Sequence, residues 1–163
     1  MWKLILIALA IALGGCASIG SAPVGSDIYV MRHLHTLAGA SNPDLTSAGR
    51  QHATLLDRWF VRRRSPDAIY VSNTARAQQT AAVLAARLKL VPKIYDPRDT
   101  PGLVAAVMAE PGAVLVVGHS NTVPDIVAGL GGTRPGPLVH EDFGDIWRVA
   151  GPARVTSHYK LGE

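Results

Sequence analysis

The sequence predicts an α/β fold, a three-layer sandwich with a mostly parallel central sheet, helices on both faces and a C-terminal hairpin. Three observations carry that expectation. From Asp27 onward, short apolar runs alternate with helix-length amphipathic segments. The strongest of these runs, GAVLVVGH, is apolar at every position, as a central strand covered on both faces must be. The chain closes with two strand-like segments around AGPA, the pattern of a hairpin.

Each element has a local reason. Ile28 to Met31 is a short apolar strand, followed by a loop rich in Gly, Ser, Asn and Pro. Thr46 is the expected N-cap of a first helix whose apolar stripe is Leu55, Leu56, Trp59 and Phe60. Ser65-Pro66 ends that segment, and Ala68 to Val71 is a second buried strand. The alanine-rich stretch from Thr74 to Leu88 is a second helix. LVPKIYD carries a third strand, edge-like because of Pro92. Pro101 opens a third helix, GAVLVVGH follows, and Asn121 or Thr122 begins a fourth helix ended by Gly131-Gly132.

Composition bounds the function. The chain has 163 residues, 48% hydrophobic and 17% charged, which suits one globular domain and not a disordered chain. The net charge of +4 is mild, and the densest basic cluster, Arg62 to Arg64, reads as a solvated helix C-terminus. No nucleic-acid partner is expected.

Residues 1–15 have the form of a signal peptide, a short positive start followed by the apolar run Leu4 to Leu13. That run is shorter than the roughly 18 to 20 residues a spanning helix needs. LGGC, Leu13 to Cys16, resembles the lipobox of bacterial lipoproteins. The resemblance implies cleavage before Cys16, lipid on that cysteine and a location at the bacterial cell envelope, on the periplasmic side or the cell surface. Cys16 is the sole cysteine, so no intramolecular disulfide can form. Residues 16–26 then read as a Gly, Ser and Pro tether, and 27–163 as the domain.

In such a sheet, sites form beyond the carboxyl ends of the strands. After the first strand come Arg32, His33 and His35; after the second, Ser72, Asn73, Thr74 and Arg76; after the third, Asp96, Arg98 and Asp99; after the fourth, His119. Two guanidinium groups facing one point suit a dianion such as a phosphoryl group. A neutral imidazole among them can attack phosphorus, and a second can hold the equatorial oxygens. A carboxylic acid is then needed to protonate the leaving oxygen.

The set RH after the first strand, SNTARAQQT after the second and GHSNT after the fourth resembles the histidine phosphatase, or phosphoglycerate mutase-like, superfamily. NPDLTSAGRQHA resembles that family's approach to its first helix. The resemblance implies a metal-independent phosphatase acting on a phosphomonoester or similar phosphoryl group, with no cofactor. It implies that His33 is the nucleophile and forms a phosphohistidine. Arg32 and Arg76 would bind the phosphoryl group, and His119 would be the second imidazole. For the general acid the reading leans to Asp99, with Asp96 and Asp125 as alternatives. Leu34 and His35 depart from the family pattern of a small residue and a glutamate, a change expected to re-tune the mouth of the site. Two rivals stand beside this reading. One is a metal hydrolase using His33, His35 and His119. The other is a lipid-anchored protein that binds phosphate without turning it over.

Overall fold

The computed structural model describes residues 26–39 and 41–162. The expected signal peptide, Cys16 and all of the tether but Ser26 lie outside the described residues. The elements run β1 (Ile28–Arg32), α1 (Ser47–Val61), β2 (Ala68–Ser72), α2 (Ala75–Leu88), β3 (Lys93–Tyr95), α3 (Thr100–Met108), β4 (Val114–Gly118), α4 (Val123–Gly129), β5 (Asp145–Ala150) and β6 (Val155–Lys160).

The six strands form one sheet in the order β3-β2-β4-β1-β5-β6. β4 pairs in parallel with both β1 and β2, and β2 in parallel with β3. The hairpin β5–β6 adds two antiparallel strands beside β1. Every residue of β1, β2 and β4 is buried, which explains their continuous apolar runs. Side chains alternate between the two faces. Tyr29, Met31, Ile69, Val71, Leu115 and Val117 pack with Leu56, Phe60 and Leu84 of α1 and α2. Ile28, Val30, Val114 and Val116 pack with Leu103, Val107, Ile126 and Val127 of α3 and α4. The three-layer reading therefore holds, and β3 is an edge strand as Pro92 suggested.

Local chemistry sets the helix starts. The Thr46 hydroxyl accepts the Gly49 N–H at 3.1 Å, and the Asp99 carboxylate accepts the Gly102 N–H at 2.9 Å. The fourth helix begins at Val123 with Thr122 as its N-cap residue, one of the two starts expected. Thr122 makes no capping bond to it, because its hydroxyl accepts the His119 N–H at 3.0 Å instead. The helix ends as the sequence indicates: Gly131 takes φ +84°, and the Gly132 N–H returns to the Val127 carbonyl at 3.0 Å.

Gly49 lets α1 approach the loop after β1. A methyl group there would fall inside van der Waals contact of the His35 carbonyl oxygen, which already accepts the Thr46 N–H at 2.9 Å. Alanine is ordinarily favoured over glycine in a helix. Here the steric conflict reverses the sign, and Gly49→Ala should lower the unfolding free energy by about 1–3 kcal/mol in urea denaturation.

Candidate active site

Strand register brings the site together. Arg32 at the end of β1 is paired with Gly118 at the end of β4, and the His33 N–H donates to the Gly118 carbonyl at 2.9 Å. His33 and His119 are therefore the first residues beyond two neighbouring strands. Their ring centroids are 5.4 Å apart, and each residue is only 5–6% exposed.

The tautomer of His33 is fixed by its neighbour. Nδ1 lies 2.9 Å from the Leu34 carbonyl oxygen, which can only accept, so Nδ1 carries the proton and Nε2 is bare. Burial pushes the His33 pKa down to about 3, and the charges of Arg32, His119 and Arg76 push the same way. The ring is thus a neutral base with its free lone pair on Nε2 at any physiological pH.

His119 is held from both sides. Arg76 Nη2, which can only donate, stands 3.5 Å from Nδ1. The proton therefore sits on Nε2, which donates to the Ser72 hydroxyl at 2.9 Å. The Ser72 hydroxyl lies 3.0 Å from the Thr74 hydroxyl, and the two share a hydrogen bond that either can donate. Burial, then Arg76 and Arg32, lowers the His119 pKa to about 4.

The two arginines arrive differently. Arg76 is the second residue of α2. A cation in the first turn opposes the helix dipole, at a cost of about 0.3–1 kcal/mol that a docked anion relieves. Arg32 is 6% exposed, and burial lowers its pKa without removing its charge. Its Nη1 donates to the carbonyl oxygens of Val139, at 2.7 Å, and His140, at 3.1 Å, and its guanidinium lies over the Phe143 ring at 4.3 Å. Arg32 Nε is buried with no protein partner.

The three candidate carboxylates make no hydrogen bond to this cluster among the described residues. Asp99 caps α3, and it makes no ion pair among the described residues. Asp96 is tied to Arg98 at 2.8 Å, and that pairing holds its pKa near 2. Asp125 is paired with Arg134 on the surface. Leu34 does not shape the mouth: it is fully buried in the core beneath α1 and α2. His35 stacks on His52, with ring centroids 4.5 Å apart, and packs against Phe143 at 4.3 Å. Among the described residues, no three His, Cys, Asp or Glu side chains gather as metal ligands. Sequence reasoning did not assign the roles of Ser72 and Thr80, although both lie in the quoted SNTARAQQT run. It also missed Phe143 and the carbonyl-bearing segment 139–142, which no local pattern marks.

Residues 28–98 match the family model described as the histidine phosphatase superfamily (branch 1). Over that stretch, which holds β1 to β3, the chain is similar to that superfamily. Its fold is similar to that of a protein histidine phosphatase SixA complexed with tungstate, with a TM-score of 0.62 at 20% identity, over 82% of this chain and 94% of that one. A SixA protein of Agrobacterium tumefaciens gives 0.62 at 21% identity, over 84% and 98%. A mycobacterial glucosyl-3-phosphoglycerate phosphatase with VO3 gives 0.65 at 16%, over 83% and 98%. No curated protein sequence matches the chain.

The two buried imidazoles give the domain a specific acid response. Their folded pKa values, about 3 and about 4, lie below the unfolded value of about 6.5. Between those limits the unfolded chain binds more protons, so stability present above about pH 6.5 is lost as pH falls toward 4. Urea unfolding at pH 7 and pH 4 should show a larger loss for the wild type than for a His33→Ala, His119→Ala double variant.

Proposed function

We propose that this chain is a phosphatase that hydrolyses a phosphomonoester through a covalent phosphohistidine on His33. The observation that carries the reading is the bare Nε2 of a neutral, buried His33, placed beside a second imidazole and two guanidinium groups. Similar folds were solved with tungstate and with VO3, oxyanions that share the charge and oxygen-rich surface of a phosphoryl group.

In the first step, the Nε2 lone pair attacks phosphorus as the bond from phosphorus to the ester oxygen breaks. Arg32 Nε, a buried donor with no protein partner, and the Arg76 guanidinium take the phosphoryl oxygens. The docked dianion raises the proton affinity of His119, whose Nδ1 takes a proton from solvent and donates it in a hydrogen bond to a phosphoryl oxygen. The ester oxygen leaves with a proton from Asp99. Of the three carboxylates beyond the sheet, it alone is free of a paired cation among the described residues. In the second step, Asp99, now a carboxylate, takes a proton from water as that water attacks the phosphohistidine, the phosphorus–nitrogen bond breaks, and inorganic phosphate departs with Nε2 and the acid both restored.

A phosphoester panel tests both assignments. His33→Ala should abolish turnover and the acid-labile phosphate trapped on the wild type; retained activity would remove His33 as nucleophile. Asp99→Asn keeps an acceptor for the Gly102 N–H. It should slow alkyl phosphates by about 10²-fold or more while sparing p-nitrophenyl phosphate, whose leaving group needs no proton. Equal slowing of both would place the acid elsewhere.

Export and lipid attachment at Cys16 belong to the same proposal. They rest on the apolar run and LGGC at the start of the chain. No helix among the described residues is long and apolar enough to cross a membrane. Labelled fatty acid should be incorporated by the wild type in a bacterial host and not by Cys16→Ser. Equal labelling of the two would end that part of the proposal.

A further inference from the structure

We propose that Asp142 is a positioning residue for the phosphoryl-binding edge of Arg32, acting through the turn that grips the back of the guanidinium. The proposal rests on the phosphatase reading above. A guanidinium has two edges suited to different partners. Nε and Nη2 form the side-on fork that meets two oxygens of an oxyanion, while Nη1 faces the other way. In this site Nη1 is the anchored nitrogen. The carbonyl oxygens of Val139, His140 and Asp142 converge on it at 2.7, 3.1 and 3.4 Å. Phe143 supports the flat face at 4.3 Å. Nε remains buried and without a protein partner, on the edge left for substrate.

Asp142 makes that arrangement possible. Its carboxylate Oδ2 accepts the Val139 N–H at 2.6 Å, and its own N–H donates to the Val139 carbonyl at 3.2 Å. These reciprocal bonds close residues 139–142 into a tight turn with its carbonyl oxygens on one side. The contact to Arg32 is through backbone oxygens, so the guanidinium is fixed without a carboxylate bonded to it. The Asp142 charge also reaches Arg32 through space and raises its pKa, as does Glu141. The turn and the charge can be separated, because asparagine accepts the Val139 N–H as aspartate does but carries no charge.

The test uses the full chain as wild type, Asp142→Ala and Asp142→Asn. It reads the side-chain Nε–H signal of Arg32 by ¹⁵N NMR, the Kd for inorganic phosphate, and KM and kcat on p-nitrophenyl phosphate. Losing the fixed fork removes about one charge-assisted hydrogen bond to substrate, close to a tenfold effect. Asp142→Ala should therefore speed exchange of the Arg32 Nε–H and raise Kd and KM about tenfold, with kcat changed less than about threefold, because the contact exists in ground and transition states alike. Asp142→Asn should restore all three to near wild type. An unchanged Arg32 signal in Asp142→Ala would overturn the proposal, and so would an asparagine variant as impaired as alanine, which would make charge the operative feature. A wild type that neither binds phosphate nor turns over, yet shows the Nε–H shift in Asp142→Ala, would sink the phosphatase reading while supporting the turn's hold on Arg32.

Discussion

The pairing of Arg32 with Gly118 is the constraint on which the site depends. Parallel strands in register place equivalent residues at the same height, so the residue after each partner emerges at the same level. Those residues are His33 and His119. Sliding β1 by one position against β4 would turn its side chains to the opposite face and separate the imidazoles by a strand step. The apolar side chains on both faces of β1 and β4 resist that slip, because each fills a different core. The hydrophobic pattern of the strands thus sets the geometry of the polar groups at their ends.

Burial then sorts the charges. An imidazole taken out of water gives up its proton readily, and both His33 and His119 do so. A guanidinium does not, so Arg32 remains a buried cation and needs hydrogen-bond acceptors. The fold supplies carbonyl oxygens, not a bonded carboxylate. The difference matters for function. Carbonyls satisfy the nitrogen while leaving most of the positive charge uncancelled, so Arg32 and Arg76 together oppose two neutral rings. A phosphoryl dianion is the ligand that matches such a balance.

Much of this was legible in the sequence, for reasons that are local. β4 read as central because every residue is apolar, and Arg32, His33, Arg76 and His119 were found because a strand end or first helical turn fixes where they emerge. What stayed hidden depends on distant contacts. Residues 139–142 lie more than a hundred positions from Arg32 in the chain, and nothing in VHED announces a carbonyl cradle. Leu34 was assigned to the mouth because it follows His33. Its side chain instead turns into the core, where it packs with Leu45 and Ala77 under α1 and α2. Thr122 was read as one of two possible starts of the fourth helix, and it is the N-cap residue, but its side chain makes no capping bond. Its hydroxyl serves the His119 N–H, a tertiary demand that overrides the local preference.

Thr80 joins these pieces. Its hydroxyl donates to the Arg76 carbonyl at 2.7 Å and accepts the Leu34 N–H at 2.9 Å. One side chain therefore ties the backbone just after His33 to the first turn of α2. The distance between the two guanidinium groups is then not left to their long, flexible side chains alone. At the Cα end it is set by this bridge, and at the Arg32 tip by the carbonyls of 139–142. Thr80 is fully buried, so water does not compete for either bond, and the hydroxyl has the one donor and the acceptor capacity that the two backbone groups require. A valine of the same shape would fill the space and leave the Leu34 N–H without its acceptor. The helix that carries one arginine and the strand that carries the other are thus held together by a polar contact in an otherwise apolar layer, where an unsatisfied partner costs most.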